Sequence, residues 1–177
     1  MKRLIAAVSA ALMVLVAGSA HADPTVTRSP ATAPVLGTTI RGASATTFSI
    51  TTAGAVSRTS GDAIRLSSSS VTTPTITINC GLLNLSGLCA LRHIRVTITP
   101  VATSPARITR FRVGSMTGGV YRAGSAPAEA STLVFDLNPL GLFTTATFKL
   151  GMDVQLAAGA AGGVQTFDYM ITVQFTT

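Results

Sequence analysis

The two cysteines, Cys80 and Cys89, are the first residues of this chain whose type and spacing could do chemistry. Eight residues separate them, which does not fit the C-x-x-C spacing of a redox pair. Together with the nearby His93 they supply three ligands, one short of a structural zinc site. An even number of cysteines in an exported chain is typical of a disulfide. The sequence therefore predicts a structural Cys80–Cys89 disulfide across the mouth of a short loop, with no metal and no cofactor.

A catalytic histidine is not expected. Beyond residue 22 the chain has one histidine, His93, and it lies between Arg92 and Arg95. Nearby positive charge disfavours the imidazolium that a general base must become. No G-x-S-x-G, H-E-x-x-H or phosphate-binding glycine motif is present. The carboxylates are dispersed, and each is interpreted as a turn or solvent-facing residue: Asp62, Glu129, Asp136, Asp153 and Asp168. We therefore expect a protein without catalysis.

Arginine is the charged residue with an uneven distribution. No acidic residue lies between Asp62 and Glu129, and this stretch includes Arg92, Arg95, Arg107, Arg110, Arg112 and Arg122. If the strands on either side of residues 101–105 form a hairpin, Arg95 lies opposite Arg110 and His93 opposite Arg112, an unfavourable placement of like charges.

Two interpretations of these arginines stay open. In the first, an anionic glycan or lipid binds to Arg92, Arg95, Arg107, Arg110 and Arg112. In the second, the arginines form a solvent-facing surface that keeps an apolar sheet soluble. Nucleic acid is not expected as a partner, because the chain is exported and aromatic residues do not interleave with the arginines.

The first 22 residues have the three parts of a secretory signal peptide. Lys2 and Arg3 form the basic start, Leu4 to Val16 is the apolar core, and Ala20-His21-Ala22 is a cleavage site of small residues. The apolar core is too short to span a membrane, and no later run approaches the roughly 18 residues that a transmembrane helix needs. The sequence predicts export to the periplasm, the outer-membrane surface or the outside of a bacterial cell.

Residues 23–177 divide into an N-terminal segment and one domain. Residues 23–44 contain Pro24, Pro30 and Pro34, so we expect an extended arm, an edge strand or a disordered leader. From residue 45 to residue 177, short alternating segments recur between turn residues, which predicts a single all-β domain, a sandwich or a barrel. The alternation changes parity near Arg110, which indicates a bulge there.

The last thirty-two residues contain two alternating runs, Phe148 to Leu156 and Phe167 to Phe175. A period of two is typical of a strand with one buried face. A glycine- and alanine-rich loop separates the runs, so we expect a long hairpin in which Asp153 and Asp168 lie near each other. Strand addition is a common mode of assembly, and the candidate assembly strand contains Phe167, Tyr169, Ile171, Val173 and Phe175.

Three segments carry a resemblance to a known family. They are residues 48–51 (FSIT), residues 74–80 (PTITINC) and the two alternating runs after residue 146. Together they resemble a family of bacterial exported proteins, the domain of unknown function number 4402, over about residues 40–177. The resemblance implies an antiparallel β-sandwich of immunoglobulin-like or pilin-like type, with about 7–9 strands and no catalytic residues.

Three functions agree with these observations. The first is an exported structural or adhesive protein of the cell surface, such as a fimbrial, pilin-like or coat-like subunit, that pairs strands with itself or with other surface subunits. The second is a soluble periplasmic module that binds an anionic glycan or lipid through the arginines. The third is a small eight-stranded outer-membrane β-barrel, which fits the length but has few aromatic residues for its two girdles.

Overall fold

The structure is a computed structural model that describes residues 24–80, 88–141 and 143–177. The predicted signal peptide, residues 1–22, lies outside the described residues. No helix in the described part is long and apolar enough to cross a membrane. The strands are β1 (Thr25–Ser29), β2 (Val35–Ile40), β3 (Thr46–Ile50), β4 (Val56–Ser60), β5 (Ile64–Arg65), β6 (Thr75–Asn79), β7 (His93–Val101), β8 (Ala106–Thr117), β9 (Leu133–Leu137), β10 (Thr145–Leu156), β11 (Gly163–Thr166) and β12 (Asp168–Thr176), and one helical turn, α1 (Leu88–Leu91), precedes β7.

The all-β class predicted from the alternation is confirmed. Strands with a clean alternation bury every second side chain: in β7, Ile94, Val96 and Ile98 are buried, while Arg95 and Thr97 between them are partly exposed. The described strands outnumber the prediction because β1, β2, β4 and β11 are short and polar. Such strands lack the apolar period by which a strand is recognised in a sequence.

The strands form three antiparallel sheets. Sheet A has the order β1-β6-β10-β3-β4, with β8 also paired to β10; sheet B is β11-β2-β5 and sheet C is β12-β7-β9. Sheets A and C bury their inner faces against each other. Phe148 of sheet A and Phe135 of sheet C pack edge to face with ring centroids 5.7 Å apart, and Phe111 of sheet A packs on Tyr169 of sheet C at 6.1 Å. Contacts of this kind between two inner faces define a β-sandwich.

β10 is the central strand of sheet A because three strands, β3, β6 and β8, pair with it. On one edge its residues 145–149 pair with β6 and its residues 152–156 pair with β3, while β8 runs along the other edge. Gly151 lies at the junction of β6 and β3, where a Cβ would be 2.8 Å from the carbonyl oxygen of Ile50 and 2.9 Å from the nitrogen of Thr52. The β8–β10 register shifts between Asp153 and Val154, which confirms the irregularity predicted near Arg110.

The predicted C-terminal hairpin is wrong. β10 lies in sheet A and β12 lies in sheet C, where β12 pairs with β7. The intervening β11 pairs with β2 in sheet B. The reason is that β3, β6 and β8 occupy both edges of β10, so no edge remains for β12. An alternating pattern determines which side chains face the core, but not which strand is the neighbour.

The hairpin considered between the strands on either side of residues 101–105, β7 and β8, does not form. β7 pairs with β12 and β9, and β8 leaves residues 102–105 to join β10 in the other sheet. Arg95 therefore lies opposite Asp136 and Gln174, not opposite Arg110. The chain thereby avoids the unfavourable opposition of like charges that the hairpin would require.

The segment predicted as an arm belongs to the sheets. β1 pairs with β6 at the edge of sheet A, and β2 is the middle strand of sheet B. Pro24, Pro30 and Pro34 all lie outside these strands, so the prolines bound the strands and do not interrupt a ladder. Leu36 in β2 is fully buried, which shows that the segment contributes to the core.

Cys80 and Cys89 form the predicted disulfide, with their Cα atoms 6.1 Å apart. Cys80 directly follows β6 of sheet A, whereas Cys89 lies in α1, just before β7 of sheet C. Both cysteines are buried. The disulfide therefore connects the two sheets of the sandwich. Of the loop that it closes, residues 81–87 lie outside the described residues.

Candidate functional site

The arginines of β8 are bonded to carboxylates of the same chain. Arg112 donates to Asp153 at 2.5 Å and to Glu129 at 3.0 Å, and Arg110 lies 3.5 Å from Glu129 and 3.7 Å from Asp153. Only 18% of the Arg112 side chain and 13% of the Asp153 side chain are exposed. Burial lowers the pKa of Arg112, but its hydrogen bonds to Glu129 and Asp153 outweigh burial and raise the pKa above its usual value. This network is neutral overall.

A second ion pair lies on sheet C. Arg95 and Asp136 are directly opposite each other on β7 and β9, and the guanidinium donates to both carboxylate oxygens, at 2.9 and 3.1 Å. Arg122 lies 3.7 Å from the same carboxylate. The hydrogen bond from Arg95 lowers the pKa of Asp136. Such bidentate pairs are the strongest form of an ion pair.

The five arginines predicted to bind an anion do not share one surface. Arg107, Arg110 and Arg112 lie on β8 of sheet A, and Arg107 donates to the side chain of Gln155. Arg95 lies on sheet C, and Arg92 is exposed at the bend between α1 and β7. Arg95, Arg110 and Arg112 form ion pairs with carboxylates that are distant in the sequence. The sequence alone therefore did not reveal the pairing. Anion binding stays a prediction.

The other chemistry-bearing residues have structural contacts. His93 is partly buried, with Nδ1 3.3 Å from the carbonyl oxygen of Leu137. Asp62 accepts hydrogen bonds from the backbone nitrogens of Ala43 and Ser44 and from the Ser44 hydroxyl, and these bonds lower its pKa to about 2. Within the described residues, no three His, Cys, Asp or Glu side chains are grouped so as to hold a metal ion.

The open edge of β12 is the candidate functional site. Among the strands that the structure describes, β12 pairs with β7 alone, so its second edge faces outward. The predicted assembly residues lie on one face of it: Phe167 and Tyr169 are buried, while Ile171, Val173 and Phe175 are partly buried against the core. Partly exposed core residues beside an unpaired edge are a site to which another strand can add.

An ion pair closes one end of this edge. Arg28 on β1 donates to Asp168 at 2.7 Å and to the carbonyl oxygen of Tyr169 at 3.4 Å. The backbone nitrogen of Tyr169 donates to the Asp168 carboxylate at 2.9 Å, and the Arg28 guanidinium lies 5.3 Å from the Tyr169 ring centroid. We call the side chains of Arg28 and Asp168 the clasp. It joins the edge of sheet A to the edge of sheet C.

The pKa shifts of Arg28 and Asp168 both favour the charged forms of these side chains, which stabilises the ion pair of the clasp. Burial disfavours the charged carboxylate of Asp168, but the hydrogen bonds from Arg28 and from the Tyr169 nitrogen hold its pKa below the usual value. The hydrogen bond to Asp168 raises the pKa of Arg28. Burial raises the pKa of Tyr169 to about 12, so the phenol stays neutral beside the clasp.

A pocket of about 430 Å³ lies beside the clasp. Val26 of β1 and Ile171 of β12 supply apolar walls, and Val101 and Met170 line it further out. The strand edge, the clasp and the pocket therefore form one surface at the junction of the two sheets. The sequence predicted the assembly face of β12, but it did not predict β1 or the clasp, because residues 23–44 have no alternating apolar run.

Comparison with protein-family models, with curated proteins and with solved structures finds no match to this chain. The geometry of the described residues therefore carries the functional argument.

Proposed function

We propose that this protein is an exported structural or adhesive component of the bacterial cell surface that assembles by strand pairing at the open edge of β12. The observation that carries the proposal is the edge itself. It is nine residues long, pairs on one side only among the described strands, and exposes part of Ile171, Val173 and Phe175. Soluble proteins usually protect an unpaired apolar edge of this kind.

Three further observations support this role. The signal peptide and the Cys80–Cys89 disulfide agree with an oxidising compartment outside the cytoplasm. The carboxylates at 129, 136, 153 and 168 are each bonded to an arginine of the chain, which is an arrangement that stabilises a scaffold. The resemblance of residues 40–177 to a family of bacterial exported proteins implies a β-sandwich without catalytic residues, which is compatible with this role.

The test is an edge-blocking substitution. Along an antiparallel strand, the backbone groups of alternate residues point to the same edge. Tyr169 directs its N–H and C=O to the open edge, and the backbone N–H of Val173, four residues later, therefore points there as well. Val173→Pro therefore removes a donor from the edge while it leaves the ladder with β7 intact. Val173→Thr, which keeps both the N–H and the β-branched shape, is the matched control.

We expect surface material, seen by electron microscopy, in cells that make the wild-type protein or Val173→Thr, and none in cells that make Val173→Pro or lack the gene. Circular dichroism of each purified protein checks that the variants fold. Unchanged surface material with Val173→Pro, or in cells without the gene, would overturn the proposal.

A further inference from the structure

The edge of β12 lacks the features that keep strand edges apart. Residues 169–177 contain no charged residue, no proline and no glycine. Soluble proteins usually protect an edge with a lysine, a proline or a bulge. The charge at the start of the strand, Asp168, is engaged in the clasp with Arg28. A bare edge of this composition is suited to pair with another strand.

The contacts on the edge leave a short open run. Phe167 and Tyr169 already use their edge-facing groups: the Phe167 nitrogen donates to the Pro34 carbonyl oxygen at 3.4 Å, and both backbone groups of Tyr169 bond to the clasp. At the other end, Arg122 donates to the carbonyl oxygen of Thr177 at 3.2 Å. Among the described residues, no backbone partner lies on this edge for Ile171, Val173 or Phe175, so the unpaired run is centred on Val173.

We propose that the occupant of this edge is a second copy of the chain, whose β12 pairs antiparallel to the first across a two-fold axis at Val173. This inference rests on the proposed function and names its partner. An interface with two-fold symmetry requires a surface that is complementary to itself. An antiparallel strand pair centred on one residue meets this requirement.

The side chains around Val173 suit this symmetric register. Ile171 faces Phe175 of the second copy, and a β-branched residue opposite an aromatic residue is a favourable cross-strand pair. On the outer face, Thr172 lies opposite Gln174 of the second copy, which brings no charges together. A register shifted by two residues in either direction would need the backbone groups of Tyr169 or Thr177, which the clasp and Arg122 already bind. The two arginines thus determine the register.

Cross-linking of mixed variants tests the register. In the proposed dimer, Thr172 and Gln174 of the second copy are neighbours across the strands, whereas the two copies of Thr172 are roughly 7–8 Å apart on the diagonal. A disulfide does not bridge cysteines whose Cα atoms are more than about 7 Å apart. We expect a mixture of Thr172→Cys and Gln174→Cys proteins to form a disulfide-linked dimer under mild oxidation, and either protein alone to give much less.

Sedimentation of the uncross-linked proteins is the second measurement. Wild type and Val173→Thr should shift from monomer to dimer as concentration rises, and Val173→Pro should stay monomeric. Circular dichroism and the absence of free thiols in the wild type, and a single thiol in each cysteine variant, check that the folds and the native disulfide are intact.

The outcomes separate this inference from the proposed function. If Val173→Pro abolishes surface material but the mixture does not cross-link and the wild type stays monomeric, the edge accepts a strand of a different protein, and the second-copy inference is overturned while the proposed function stands. If the mixture cross-links but Val173→Pro leaves surface material unchanged, the dimer exists and the proposed function fails. Equal cross-linking of the mixture and of the single variants would contradict the Val173-centred register.

Discussion

At the scale of single residues, the few carboxylates of this chain hold strands together. Asp153 lies between Arg112 and Arg110, Asp136 pairs with Arg95, and Asp168 pairs with Arg28. Each pair joins two different strands. The chain has only six acidic residues, and three of them join strands in this way, so the excess of arginine accounts for the strongly basic character.

Arg112 should contribute much more to stability than Arg92. Arg112→Met leaves the poorly exposed carboxylate of Asp153 with only the more distant Arg110, so we expect the free energy of unfolding to fall by about 2–3 kcal/mol. Arg92 is exposed, and Arg92→Met, the matched control, should change it by less than about 0.5 kcal/mol. Urea unfolding of both variants measures the difference; equal losses would contradict the role of the network.

Asp62 should make stability depend on pH in the acid range. Its folded pKa of about 2 is below the ordinary value of an aspartate, so its contribution is complete above about pH 4 and is lost as the pH falls through the folded pKa. Asp62→Asn lacks the charge that the backbone nitrogens favour and should be less stable than wild type at neutral pH. Thermal unfolding as a function of pH should show the two proteins converging between about pH 4 and pH 2; a constant difference would rule out this linkage.

Residue-level features were predictable from the sequence where a local rule applies. The Cys80–Cys89 disulfide follows from an even cysteine count in a chain predicted to be exported, and the irregularity near Arg110 follows from a change of parity. The partners of Arg95, Arg112 and Arg28 were not predictable, because each partner lies on a strand brought close only by the sheet order. The charge distribution along the sequence therefore suggested one basic cluster. The fold instead places these arginines on two sheets and pairs Arg95 and Arg112 with carboxylates.

At the scale of strands, the alternation identified which side chains face the core. It did so for β6, β7, β9, β10 and β12, whose apolar positions are buried or partly buried as expected. It did not identify the neighbours: the predicted C-terminal hairpin is wrong, and the hairpin considered around residues 101–105 does not form. The pairing depends on which edges are already occupied, and that depends on the whole set of strands.

Gly151 should be the least replaceable residue of β10. In Gly151→Ala the new Cβ would meet the backbone of Ile50 and Thr52 at less than 3 Å, so β3 or β10 must move. We expect a loss of about 1–3 kcal/mol in the free energy of unfolding, as in other overpacked sites. Gly114→Ala is the control, because its Cβ would lie 3.0–3.2 Å from the Cβ, Cγ2 and Oγ1 atoms of Thr52, a milder approach that a small shift of Thr52 relieves. A loss for Gly114→Ala as large as that for Gly151→Ala would contradict the argument.

At the scale of the whole molecule, sheets A and C enclose one core; the buried disulfide joins them within it, and the clasp joins their edges. The sequence predicted the class, because many short alternating segments need a second layer to cover their apolar faces. It did not predict that residues 24–44 belong to the same unit. The short strands of that segment are recognisable only by the sheet edges that they complete.

Removing the disulfide should destabilise the whole sandwich. The bond closes a loop between residues nine apart, and constraint of the unfolded chain predicts a loss of about 2.5–3 kcal/mol on its removal. Cys80→Ala/Cys89→Ala and the reduced wild type should show the same loss in denaturant unfolding. Thiol titration of the native protein should find no free cysteine; two reactive thiols would contradict the bond.

β10 also determines how the molecule carries tension. β6 and β3 lie end to end on one edge of β10, and β10 joins them by pairing with both. Antiparallel hydrogen bonds run perpendicular to the strands, so a pull that separates β6 from β3 along their axis loads the bonds to β10 in shear, several at once, and does not unzip them one after another. β10 therefore acts as a splint that holds β6 and β3 together against force along their common axis.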